Sequence, residues 1–247
     1  MPVRLPRSTC LVAVFLQVAL LPWAQQAPLS QSSSSSPSSS AKRARKPSSS
    51  ANSAPDLGSV SNGSYRNQTF GFDFKIPIGW VQRTEEMNAS EGQAASQDGQ
   101  AAPDRTAERG CPHTCGAVLL AAFSRPPEAQ GEEVNSAIVI AAESTAVYPG
   151  LTDAGQYFGS LTEAATAHGS KVVNQPYRLL VGTKMLVRGD FEKEHGTRVM
   201  RQSTLVTLAH GYAVSFTFIG QTEEEVEELI GDLGFVEAKT TVGDKRK

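Results

Sequence analysis

Not one aspartate or glutamate occurs among residues 1–55, so the first quarter of the chain has no negative charge. Six basic residues stand there (Arg4, Arg7, Lys42, Arg43, Arg45, Lys46), and the first acidic residue is Asp56. The other 17 basic residues accompany 25 acidic ones, so the formal net charge of −2 conceals a basic N-terminus on a part that carries −8. An acidic domain repels phosphate backbones, and none of its segments interleaves aromatics with Lys and Arg, which excludes nucleic acid as a partner of the folded part. The basic run at Lys42–Lys46 reads as a solvated linker, and any membrane contact is confined to it.

Long apolar runs are also scarce. The longest, Cys10–Leu21, spans about twelve residues and is broken by Gln17, whereas a membrane-spanning helix needs roughly 20. Cysteine is scarce too: of three, Cys10 lies in that run and only Cys111 and Cys115 follow it, which excludes a disulfide framework of several bridges. No G-x-S-x-G elbow, G-x-G-x-x-G, phosphate loop or H-E-x-x-H is found, so no catalytic residue is named, an enzyme is not expected and no cofactor is implied.

What is present at the N-terminus is an address. Arg4 and Arg7, the apolar run, and then Pro22-Trp23-Ala24 follow the charged, apolar and cleavage regions of a secretory signal. Residues 1–24 are expected to be removed, with a cut after Ala27 as the competing site, leaving an exported protein, periplasmic or extracellular. Residues 25–62 are Ser-rich and offer too little apolar surface to offset the entropy of ordering, so they read as a disordered tether. The folded domain is placed at 63–237, and 238–247 as a disordered basic tail.

Within the domain, Tyr65–Ile76 alternates with Phe70, Phe72 and Phe74 on one face, a half-buried strand. Pro77 and Gly79 end it, and Trp80 is expected to pack at the edge of the core. Residues 84–110 show neither helical nor strand period and are read as a flexible insertion loop. LLAAF and AIVIAA, at Ala117–Phe123 and Ala137–Ala142, suit interior strands. A helix capped at Thr152 runs to about His168, whose place in the last turn suits the helix dipole. Lys171–Val181 is a strand that Pro176 marks as an edge or a bulge. Three strands follow, reversed at His195-Gly196 and His210-Gly211, where glycine supplies a positive φ. Thr222 and Glu225 form a capping box for a last helix through Leu233, whose face of Glu223, Glu224, Glu227, Glu228 and Asp232 reads as solvated.

Runs of strands between isolated helices define an α+β class, an antiparallel sheet covered by helices. YRNQTFGFDFKIPIGW, DAGQYFGSLTEAA, VGTKMLVRGDFE, RQSTLVTLAHGYAVSFTF and EEEVEELIGDLGF, taken in order, resemble the PsbP-like superfamily over about residues 65–236. That resemblance implies an α/β/α sandwich and a non-enzymatic module that binds or stabilises a larger assembly, here an unidentified protein or envelope partner. It transfers no site residue.

One local constellation carries chemistry: Cys111-Pro112-His113-Thr114-Cys115. A turn at Pro112 can bring the two Cα atoms within the roughly 4.4–6.8 Å that a disulfide requires, and a small ring of this kind would pin the insertion. The same two thiolates with the intervening imidazole could instead hold copper or zinc, or act as a redox pair. A structural disulfide is the preferred of the three readings, and a metal-binding or thiol-redox protein is the alternative function.

Overall fold

A computed structural model describes residues 54–97, 116–129 and 134–235. Seven strands form one antiparallel sheet in the order β4 (Val81–Gln82), β5 (Gly116–Phe123), β6 (Ala137–Ser144), β10 (Tyr212–Gly220), β9 (Arg198–Ala209), β8 (Lys184–His195) and β7 (Lys171–Val181). A smaller sheet has the order β1 (Ser59–Ser61), β2 (Ser64–Asn67), β3 (Phe72–Lys75) and β11 (Leu233–Phe235). Three helices complete the described fold: α1 (Thr84–Gln97), α2 (Ala154–Ala167) and α3 (Glu223–Gly231). The class is α+β, as the order of elements in the sequence implies.

The large sheet is the middle layer. On one face the small sheet and α3 press Phe72, Phe74, Val226, Leu229 and Ile230 against Ile138, Ile140, Phe216 and Phe218. Phe72 meets Phe216 edge-on, with ring centroids 4.8 Å apart, a favoured quadrupole arrangement. On the other face α2 contributes Tyr157, Phe158, Leu161 and Ala165 against Val187, Phe191 and Val206. Beside it, Met87 of α1 packs on Val118, Ala121 and Ile219. The strands β5, β6 and β10 are therefore buried on both faces, which is why LLAAF and AIVIAA are continuously apolar instead of alternating. Each fully buried Phe here contributes about 2–3 kcal/mol. Gly189 makes the α2 contact possible, because a Cβ there would lie 2.5 Å from Cε1 of Phe158.

Four boundaries differ from the sequence expectation. The alternating stretch from Tyr65 is a hairpin, not one strand: Phe70 N donates to Asn67 Oδ1 (2.9 Å) and Gly71 N to Asn67 O (3.0 Å) to close the turn. Tyr65 lies opposite Phe74 in its register, so β2 buries its odd positions, Tyr65 and Asn67, while β3 buries its even ones, Phe72 and Phe74, and the parity changes at the turn.

The folded part begins earlier than residue 63, within the stretch 25–62 expected to be disordered. Pro55 is buried, β1 pairs with β2, and Asp56 O accepts from Asn67 Nδ2 at 2.7 Å while Leu57 O accepts from Tyr65 OH at 2.9 Å. Gly58 threads this crossing at φ +66°, where a Cβ would sit 2.5 Å from the Tyr65 hydroxyl. Asp56 and Leu57, both exposed, are ordered here through their backbone carbonyls, which leave no mark on hydropathy.

The expected loop at 84–110 begins as α1, over Thr84–Gln97. Its anchors are Met87 and three polar bonds to the flank of β5, described below. Finally, the last helix ends at Gly231 and Leu233 belongs to β11, opposite Phe74. Thr222 Oγ1 accepts from Glu225 N (3.2 Å), but the Glu225 carboxylate turns to Gln221 N (2.8 Å), so the capping box closes one residue early.

Candidate interaction surface

Cys111, His113 and Cys115 lie outside the described residues; Gly116, which follows them, opens β5. The other residues singled out in the sequence take structural places. His168 is the C-cap of α2, donating its backbone N–H to Ala164 and Ala165. His210 holds φ 53° at the β9–β10 turn, with its ring 6.2 Å from Phe70. Trp80 packs at the margin of the main core. On the acidic face of α3, Glu227 is not simply solvated, since it is ion-paired to Arg188. Among the described residues no group of three His, Cys, Asp or Glu side chains could hold a metal ion.

Two buried polar clusters were not legible in the sequence. Glu143, 4 % exposed at the end of β6, accepts hydrogen bonds from the hydroxyls of Tyr148 and Tyr157. Burial raises its pKa above the ordinary carboxyl value, the two tyrosine hydroxyls offsetting only part of that. The same burial, with the carboxylate beside it, pushes Tyr157 well above the usual phenol value.

The second cluster joins β7, β8, β9 and α3. Arg188, 6 % exposed, donates through Nε to Asp190 Oδ1 (2.7 Å) and through Nη2 to Ser203 Oγ (3.0 Å), and pairs with Glu227. Asp190 Oδ2 accepts from Asn174 Nδ2 (3.1 Å) and Tyr177 OH (3.3 Å). Burial alone would raise the Asp190 carboxyl, but the bonds from Ser203, Arg188 and Asn174 outweigh it and hold the pKa below the ordinary value. Glu143, Arg188 and Asp190 are buried and their hydrogen bonds are made within the protein, so they fix elements to one another. In β8 the sequence shows Arg188 and Asp190 alternating with Val187, Gly189 and Phe191; only α3, arriving from far along the chain, makes that polar face an interior one.

The two flanks of the large sheet differ. At one, β4 covers only Ala122 and Phe123 of β5. Beyond it Arg83 N donates to Ala121 O (2.9 Å), Ala121 N to Thr84 Oγ1 (2.9 Å), and Asn88 bonds both the N–H and the carbonyl of Val118 (2.9 Å each). The backbone groups of Val118 and Ala121 on that edge are thereby capped. At the other flank, β7 runs for eleven residues and, among the described residues, no strand pairs with its outer side.

Register shifts between Val172, Asn174 and Tyr177, with Pro176 between them, break the inner half of β7. Such irregularity blunts an edge. The outer half, Tyr177–Val181, is regular, pairing without interruption to Arg188–Lys184. It also displays apolar surface: Leu180 is 60 % exposed, Met185 directly opposite it 52 %, and Tyr177 39 %. Beside them lies a shallow cleft of about 250 Å³ lined by Thr152, Asp153, Arg178, Met185, Val187 and Leu208. That volume is below the roughly 300–1,000 Å³ of small-molecule sites. The arrangement defines an α+β sandwich with one capped edge and one regular, apolar, open edge.

No protein-family model matches the chain, and no curated protein matches it either. Among solved structures it is similar to cyanobacterial PsbP from Synechocystis, at 15% identity, covering 72% of this chain and 98% of that one with a TM-score of 0.40. It is also similar to LpqN, involved in cell envelope biogenesis of Mycobacterium tuberculosis, at 9% identity, 67% and 83% coverage and a TM-score of 0.34. A Pseudomonas aeruginosa protein of unknown function is similar at 15% identity, 40% and 67% coverage and a TM-score of 0.30.

Proposed function

We propose that this protein is an exported, non-enzymatic binding module that supports an assembly of the cell envelope or exterior, held on a Ser-rich tether. The observation that carries the reading is the open outer half of β7, with Tyr177, Leu180 and Met185 exposed beside it. An edge of this kind offers a row of backbone donors and acceptors to an added strand, while side chains on alternate faces supply selectivity. The buried ionisable groups Glu143, Arg188 and Asp190 are engaged in holding β6, β8 and β9 to their covering helices and turns, which leaves them structural tasks. The leader read from residues 1–24 supplies the address, and the Ser-rich stretch that follows it the reach.

The test combines location and capture. The mature chain is expected to begin near Gln25 in the secreted fraction, by N-terminal sequencing. A photo-crosslinker at Lys184, beside the edge, should join the protein to an envelope component, and Leu180→Lys should abolish that adduct. Retention of Met1 on a membrane-bound product would overturn export. Crosslinking indifferent to Leu180→Lys would overturn the edge as the binding site.

A further inference from the structure

The outer half of β7 has a property that a generic edge lacks: it is its own complement. Tyr177, Leu179 and Val181 alternate with Arg178 and Leu180, so the two sets occupy opposite faces. Tyr177 and Leu179 lie on the α3 side, where Tyr177 reaches Asp190 and Leu179 packs against the main core. Arg178 and Leu180 lie on the α2 side, opposite Val187 and Met185 of β8. Pro176 closes the segment at one end by lacking an N–H, and Gly182 closes it at the other by turning at φ 57°. Five residues remain, an ordinary strand length.

Resting on the binding-module reading above, we propose that this edge pairs with the same edge of a second copy, Tyr177–Val181 running antiparallel across a two-fold axis at Leu179. In that register each Tyr177 stands opposite the second copy's Val181, an aromatic–β-branched pair of the kind that stabilises sheets. Each Arg178 stands opposite the second copy's Leu180, so no like charges meet. Moving the axis one residue to Arg178 would set two guanidinium groups directly opposite, which is destabilising. Moving it one residue to Leu180 would carry Tyr177 past the strand end, to face the turn residue Thr183. Charge and strand length therefore select one register, and the two large sheets would join into one of fourteen strands. Leu180 and Met185 of each copy would form one apolar strip on the α2 side.

Sedimentation of the full mature chain tests this. A dimer formed by so short a ladder is expected to dissociate near 1 μM and to be populated on the order of 100 μM. Leu180→Arg sets a cation opposite Arg178 of the second copy and should weaken the dimer tenfold or more. Leu180→Glu sets an anion there and should leave the dimer intact or tighten it. Because Leu180 is exposed, both variants are expected to melt as the parent does. Hydrogen exchange on the unmodified chain supplies an independent reading: protection should rise with concentration at Tyr177–Val181 and nowhere else.

A monomer at every concentration, a dimer indifferent to both substitutions, or one weakened equally by both would overturn the proposal. If the purified chain stays monomeric while Leu180→Lys still abolishes the envelope adduct, self-pairing fails and the binding-module reading stands. If the adduct is also indifferent to Leu180→Lys, both fail.

Discussion

Asn88 takes the place of a strand for Val118: its Nδ2 donates to the Val118 carbonyl and its Oδ1 accepts from the Val118 N–H, both at 2.9 Å. One carboxamide thus satisfies both backbone groups of a residue whose side chain is fully buried. An unpaired backbone group at such a place costs about 1–3 kcal/mol, and this cost explains why a polar stretch forms a helix beside β5.

Asn88→Ala is therefore expected to destabilise the protein by about 2 kcal/mol, read by chemical denaturation. Asn88→Asp keeps the acceptor for the Val118 N–H but sets a carboxylate against the Val118 carbonyl, and should be at least as damaging near pH 7. A loss below about 0.5 kcal/mol for both would mean that water serves this edge equally well.

Glu143 predicts a pH dependence. Its folded-state pKa is raised, so the folded protein holds this proton more tightly than the unfolded chain does. The stabilisation is fully present below the unfolded carboxyl value of about 4.3 and is lost as pH rises through the folded value. Glu143→Gln removes the titration while keeping an acceptor for Tyr148 and Tyr157. The difference in stability between variant and parent should shift in the variant's favour as pH climbs from about 4 to 8; a flat difference would refute the assignment.

The N-terminal boundary predicts a contrast between two truncations. A chain starting at residue 54 should melt like the full chain, because every interaction described from Pro55 onward is retained. One starting at residue 63 loses β1 and leaves Tyr65 OH and Asn67 Nδ2 without the carbonyls of Leu57 and Asp56. A loss of about 2–4 kcal/mol is expected from two such bonds. Equal melts would return Pro55–Asn62 to the tether.

The CPHTC run separates three chemistries. With a structural disulfide, the purified protein shows no free thiol, the double Cys111→Ser/Cys115→Ser variant loses about 1–3 kcal/mol, and His113→Ala changes nothing. With a metal site, the reduced protein takes up copper or zinc stoichiometrically and His113→Ala weakens that uptake. A pair that is readily and reversibly reduced indicates thiol exchange.

Much of this architecture is legible in the chain itself. Period-two alternation in Tyr212–Phe218, continuous apolar runs in β5 and β6, the Thr222 cap and the glycines at 196 and 211 each act over a few residues. Their physics is local: side-chain parity, backbone φ and the unsatisfied N–H groups of a helix start. The same local logic separated the −8 part of the chain from its basic N-terminal residues.

Other features required distant parts of the chain to meet. Residues 84–97 carry no helical period because their anchor is Asn88 and Thr84 meeting β5, some thirty residues on, and not an apolar stripe. Asp56 and Leu57 look like tether until Asn67 and Tyr65 claim their carbonyls. Glu143 and Arg188 are single charges in the sequence until α2, Tyr148 and α3 enclose them, burial raising the Glu143 pKa and Glu227 and Asp190 holding the Arg188 charge. The open edge of β7 is likewise a matter of sheet order, since the sequence marks Pro176 but not which strand comes last. Composition and periodicity determined which residues seek an interior; only the packing of separate elements decided which polar groups that interior would enclose and which strand edge it would leave bare.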